Sequence, residues 1–177
     1  MTGNPQVITK VVDNDLCTGC GLCTYKCPSD ALSMDWNEEG FLVPKLTGAC
    51  DYDASCISVC PFNPEPIEPV KNETALADIF LSDGTETHEK LGRLIGIYAA
   101  YSKEHRDNSS SGGIATYIFD QLLDRGIVDH VFSVRSSDEA GGHYQYKISS
   151  SKADLRDSSK TKYYPVTLAT VLPELEQ

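Results

Sequence analysis

Seven cysteines lie between residues 17 and 60 of this 177-residue chain, and there are no others. The first four run Cys17-x2-Cys20-x2-Cys23-x3-Cys27 and end on Pro28. Three thiolates at that spacing let a short loop wrap a cubane iron–sulfur cluster corner by corner, while a fourth, set before proline, turns away toward another cluster. Laid on the same template, Cys50, Cys56 and Cys60-Pro61 repeat the run, with Asp53 in the place of the second thiol. The ligands therefore cross: Cys17, Cys20, Cys23 and Cys60 for one 4Fe-4S cluster, and Cys50, Cys56 and Cys27 for a second, with Asp53 at its fourth corner.

Other uses of seven thiols fit poorly. A disulfide framework asks for an even count and a secretory leader, and the start MTGNPQVITKVV has neither a basic end nor an apolar core. Zinc asks for separated C-x2-C pairs or Cys/His mixtures. Gly19 and Gly21 allow backbone amides to approach the sulfur atoms, where hydrogen bonds tune the potential. Asp53 has two readings. A carboxylate binds iron more weakly than a thiolate, so the second cluster is either a 4Fe-4S cluster with one oxygen-held iron or a 3Fe-4S cluster. Alternatively Asp53, like Asp51 beside it, is a solvated loop residue.

The charge balance narrows the partners. Fifteen basic and 26 acidic residues give a net charge of -11, which argues against nucleic acid. Residues 1–70 hold ten of the acidic residues and three of the basic ones. Such a surface suits docking on a basic redox protein, and it equally serves solubility. No apolar stretch is long enough to span a bilayer; the longest, Leu94–Tyr101, has eight residues. Reduced thiols and the lack of a leader point to a cytoplasmic protein.

The elements that must position the thiols are small. Val7-Ile8 and Val11-Val12 read as a short strand entering the first run, and Ser29–Leu32 as a helical turn leaving it. Leu32–Asp35 and Phe41-Leu42-Val43 form a hairpin turned at Glu38-Glu39-Gly40. This is the pseudo-twofold plan of a two-cluster ferredoxin, which leans on its inorganic cores because it can bury little apolar surface. Tyr25, Trp36, Tyr52 and Phe62 read as packing that keeps water from the clusters. Pro61–Pro69 holds four prolines and closes this unit at residue 70. Residues 71–93 read as a linker, with one or two helical turns over Ala75–Phe80.

A different pattern begins at residue 94. Leu94–Tyr101 reads as a buried strand, Ile114–Arg125 as a helix stopped by Gly126, Ile127–Val134 as a strand, and Tyr144–Ile148 as another. Between the first strand and the helix stands Ser109-Ser110-Ser111-Gly112-Gly113. A Ser-Gly-Gly entry to a helix is built either to hold an anion such as a phosphate or simply to cap the helix. His88, His105, His130 and His143 lack metal-ligand spacing and are expected at the surface. Ser136–Gly142 reads as a loop, Ser149–Asp157 as polar with a helical turn, and Leu172–Gln177 as the start of a further helix, so that the chain reads as part of a longer enzyme.

Two thiol runs, the Pro-rich exit, Ser110-Ser111-Gly112-Gly113, Asp124-Arg-Gly-Ile-Val-Asp129 and Lys162-Tyr163 together resemble the coenzyme F420 hydrogenase/dehydrogenase beta-subunit family, in its N-terminal half. The resemblance implies an iron–sulfur flavoprotein that passes electrons between clusters and FAD, to or from a deazaflavin or another redox partner. It makes Ser110, Ser111, Gly112 and Gly113 flavin contacts, and adds Lys162 and Tyr163, although Lys160 and Thr161 replace the Gly-Ser that precedes Lys-Tyr in the family. The rival expectation is a ferredoxin-like carrier with no reaction of its own. The expected fold is α+β, a small two-cluster ferredoxin-like domain over 1–70 followed over 94–177 by part of an α/β flavin-binding domain.

Overall fold

A computed structural model describes residues 4–82, 86–138 and 142–176. The chain opens on helix α1, Gln6–Lys10, rather than on the expected strand. Val7 and Val11 stand one turn apart and are both buried, a spacing that suits a helix face and not a strand. Helix α2, Leu22–Tyr25, follows inside the first thiol run. Strands β1, Leu32–Trp36, and β2, Leu42–Leu46, pair antiparallel with Leu32 opposite Leu46 and Trp36 opposite Leu42. Asn37 closes their turn by accepting from the amides of Gly40 and, through its side chain, Phe41. Helix α3, Ser55–Ser58, lies inside the second thiol run.

The two runs repeat one backbone plan at an offset of 33 residues. Gly19 and Tyr52 both take a left-handed conformation (φ 76° and 60°), as do Gly21 and Ala54 (φ 81° and 66°). In each run the second of these residues precedes the short helix. The core is built on the thiols themselves: Cys23, Cys27 and Cys56 are buried with Val7, Val11, Ala31, Leu32 and Ile57, and Cys17, Cys50 and Cys60 pack around them.

The segment expected as a linker carries structure. Helix α4, Glu73–Phe80, is capped by the Asn72 side chain, which accepts from the Ala75 amide. Strands β3, Glu86–His88, and β4, Gly92–Leu94, form a small antiparallel hairpin; residues 83–85 of the expected linker lie outside the described residues. The expected buried strand over Leu94–Tyr101 is not formed. Only Leu94 belongs to a strand, and Ile95, Ile97, Tyr98 and Tyr101 are all more than half exposed. Its apolar run finds no partner strand among the described residues, and a strand needs one to satisfy its amides.

Helix α5, Ile114–Asp124, is as expected. Its end is a Schellman motif: Gly126, at φ 61°, donates to the Leu123 carbonyl and Ile127 to that of Leu122. Strands β5, Val131–Ser136, and β6, Tyr144–Ser149, are antiparallel, with Val131 opposite Ser149. Part of the expected loop 136–142 lies outside the described residues, as does Gln177 of the expected terminal helix, whose remainder is a 3-10 turn over Leu172–Glu176. Helix α6, Lys152–Ser158, packs on α5 and β5. The sheets among the described residues are three two-stranded antiparallel ones, so the architecture is α+β. No helix among the described residues is long and apolar enough to cross a membrane.

Candidate iron–sulfur and anion sites

Two small cavities separate the thiols into two sets. One is lined by Cys17, Cys20, Cys23 and Cys60 together with Val7, Val11, Met34 and Phe62. The other is lined by Cys27, Cys50, Cys56 and Asp53 together with Pro5, Leu32 and Ala54. Each set takes one cysteine from the opposite run, which is the crossing that the spacing requires. The short helices α2 and α3 produce it: each carries one thiol into its own cavity, and the turn after it swings the Cys-Pro thiol across.

The surroundings suit iron–sulfur clusters. Gly19 donates to the Cys17 sulfur at 3.4 Å and Tyr52 to that of Cys50 at 3.4 Å, again one donor per run, while Ala31 donates to the Cys27 sulfur at 3.3 Å. Amides aimed at sulfur stabilise the negative charge that a thiolate ligand carries. Burial, reinforced by the charge of Cys20, Cys17, Cys60 and Cys56, pushes the Cys23 thiol up to about 12, and burial raises Cys17 and Cys60 as well. These thiols would resist ionisation unaided, so a cation that binds them must supply the driving force.

Asp53 lines the second cavity, but its carboxylate also accepts from the amide and hydroxyl of Ser55, the first residue of α3. Those bonds lower its pKa and keep it anionic. It therefore lines the cavity and holds the helix start at once.

The Ser/Gly loop lines an open cleft of about 430 Å³ with Ala100, residues 114–116, Lys160 and Thr161. Helix α5 begins on Gly113, at φ 76°, with no side-chain cap, so the serines do not serve as its cap. Residues 114–116 of its first turn line the cleft, and a helix N-terminus without a side-chain cap favours an anion. A Cβ on Gly112 would stand 2.7 Å from the Ala100 carbonyl, so only glycine permits this approach to the preceding segment. Ser110 accepts from the Thr161 amide at 2.9 Å, and the Ser109 hydroxyl is buried without a partner. The residues present thus fit a phosphate-bearing cofactor.

Lys162 and Tyr163 are not part of that lining. The Lys162 ammonium donates to the carbonyls of Ser158, Ser159 and Lys160 at the end of α6, where burial lowers its pKa, and Tyr163 is 96% exposed. Lys160 takes φ 74°, a conformation natural to glycine.

Two features carry no signal in the sequence. The segment after Thr161 returns to the first thiol run, where Leu168 donates to the Cys20 carbonyl at 2.9 Å and Tyr164 sits edge-on to Trp36, His143 and Tyr144. His105, expected at the surface, is only 6% exposed and faces Asp120 of α5.

Comparison with known proteins follows the same division. The model of the family described as "Coenzyme F420 hydrogenase/dehydrogenase, beta subunit N-term" matches residues 97–173, and that of the "4Fe-4S binding domain" matches residues 10–33. A ferredoxin of Pyrobaculum islandicum is 41% identical over 51 residues, covering 29% of this chain and 45% of that protein. The coenzyme F420-dependent sulfite reductase of Methanocaldococcus jannaschii is 27% identical over 163 residues, covering 91% of this chain and 22% of that protein. The chain thus spans less than half the length of these relatives. Residues 97–173 are thus similar to the N-terminal domain of the coenzyme F420 hydrogenase/dehydrogenase beta-subunit family, behind a segment similar to a ferredoxin-type 4Fe-4S domain.

Proposed function

We propose that the chain is the electron-transferring part of an iron–sulfur flavoprotein oxidoreductase that works with coenzyme F420 or another redox partner. The observation that carries this reading is the sorting of the thiols into two cavities by crossed ligand sets. Cys17, Cys20, Cys23 and Cys60 hold a 4Fe-4S cluster. Cys27, Cys50 and Cys56 hold the second cluster, 4Fe-4S or 3Fe-4S, with Asp53 at the weak corner. The cleft at Ser110, Ser111, Gly112 and Gly113 receives the phosphate portion of FAD. A flavin exchanges electrons in pairs with an organic acceptor and singly with a cluster, so one chain holding both joins two-electron to one-electron chemistry.

The chain's own residues shape that path. The backbone from Thr161 to Leu168 bonds at one end to Ser110 of the cleft and at the other to Cys20 of the first set. This supports a layout in which the first cluster is the one next to the flavin, and the second, beside exposed Asp51 and Tyr52, faces the partner. The acidic surface of residues 1–70 suits a basic redox protein. Oxygen-sensitive clusters fit a reducing compartment, and we place the protein in the cytoplasm.

The second reading, a ferredoxin-like carrier without a flavin, is favoured by the engagement of Lys162 with carbonyls and the exposure of Tyr163. Anaerobic iron, sulfide and flavin analysis with EPR decides between them. The expected result is about seven or eight irons per chain and bound FAD, with an Asp53→Cys variant converting any oxidised 3Fe signal to a 4Fe type. About four irons would sink the two-cluster reading, and full iron with no flavin would leave the carrier.

A further inference from the structure

We propose that Glu104, His105 and Asp120 form a binding site for a divalent cation, separate from the thiol cavities. One ligand atom from each lies within 4.8 Å of the others, and they come from two elements: the turn before the 3-10 helix Arg106–Asn108 and the middle of α5. His105 is 6% exposed and Asp120 1%. His105 Nε2 and Asp120 Oδ1 have no hydrogen-bond partner. The imidazole nitrogen stands 3.4 Å from Asp120 Oδ2 without hydrogen-bond geometry. Leaving both unsatisfied in the interior is unfavourable, and a cation between them would satisfy both.

Lys152 accounts for only part of this charge. Its ammonium lies 3.2 Å from Asp120 Oδ2 and 2.9 Å from Asp124 Oδ2, and it is 45% exposed, so it covers the outer oxygen and leaves Oδ1 open. Three carboxyl groups, Glu104, Asp120 and Asp124, stand against the one ammonium of Lys152 and the His105 imidazole, an acidic setting that suits a divalent ion. Two carboxylates and an imidazole suit manganese, ferrous iron or zinc, whereas the cysteine sets select iron–sulfur clusters.

The position gives the ion a task. A Cβ on Gly113 would stand 2.9 Å from the His105 carbonyl carbon and 3.0 Å from its Cβ, so His105 supports the residue on which α5 starts. A cation tying His105 to Asp120 would clamp that turn to α5 and hold the floor of the Ser/Gly cleft.

The test uses the anaerobically prepared, cluster-loaded full chain titrated with Mn²⁺, an ion with little affinity for the thiols, with free Mn²⁺ read from its room-temperature EPR lines. Saturable uptake of one ion per chain is expected, weakened at least about tenfold in Asp120→Asn and His105→Ala. Glu104 is exposed, so Glu104→Gln keeps the fold and is expected to weaken uptake as well. Absence of saturable uptake, or uptake unchanged in Glu104→Gln and in whichever buried-site variant folds, would overturn the site.

Discussion

Lys160 is the residue whose backbone and side chain disagree. Its left-handed conformation costs a side chain roughly 1–2 kcal/mol, yet the cleft needs the bend there because Thr161 must reach Ser110. Lys160→Gly should therefore raise stability by about 1 kcal/mol, after the added freedom of glycine in the unfolded chain is subtracted. Thermal melting of the cluster-loaded protein checks this. Ala54 and Tyr52 carry the same strain in the second thiol run, where the first run has Gly21 and Gly19. Non-glycine residues held in this conformation at the positions matching Gly19 and Gly21 show that the second run keeps the first run's backbone at a cost in strain. The spacing of the cysteines was enough to read this plan. The conformation of the residues between them was not, because φ depends on what the loop must reach.

At the scale of elements, helix α6 illustrates how electrostatics adds to a cap. Ser151 accepts from the Asp154 amide, and the Asp154 carboxylate accepts from Ser151 Oγ and the Ser150 amide while pairing with Arg135 of β5 at 2.9 Å. Bonds from Ser151 and Ser150 lower the Asp154 pKa. A depressed carboxylate contributes stability above its unfolded pKa of about 3.9, and this is lost as pH falls through the lower folded value. Asp154→Asn should cost about 1 kcal/mol at pH 7 and flatten the acid limb of the stability curve below about pH 4. Chemical denaturation at pH 7 and pH 3 reads both effects. At the C-terminal end of α5, Gly126→Ala should cost about 1 kcal/mol or more, since alanine at φ 61° breaks the Schellman end. Helix α5 and its stop were legible because a 3.6-residue period and a terminal glycine are local signals. Leu94–Tyr101 misled for the complementary reason: an apolar run does not state whether a partner exists for it.

At the scale of the whole molecule, the thiol-bearing segment and the C-terminal half are held together by the return of residues 164–169. Leu168 bonds to Cys20, Tyr164 meets Trp36, and a Cβ on Gly21 would stand 2.1 Å from Thr167 Oγ1 and 2.9 Å from the Ala169 amide. Gly21→Val should therefore push this segment off the first thiol run and, with φ at 81°, destabilise the protein by at least about 2 kcal/mol. Hydrogen exchange is expected to rise at residues 164–172. If protection there is unchanged, the return does not depend on that contact.

Cysteine spacing, Cys-Pro endings and the place of Asp53 were determined by the sequence alone, because a ligand run is a local arrangement set by loop length and bond geometry. From them came both expected ligand sets, and each of the two cavities has the cysteines of one set among its lining residues. What only the tertiary structure decided was long-range: that Thr161 meets the Ser/Gly loop, that the chain returns from there to Cys20, that Lys162 turns to carbonyls, and that His105 is buried against Asp120. Each of these contacts joins residues at least fifteen positions apart, or turns a side chain by packing, and packing acts on proximity in space, which no spacing along the chain encodes.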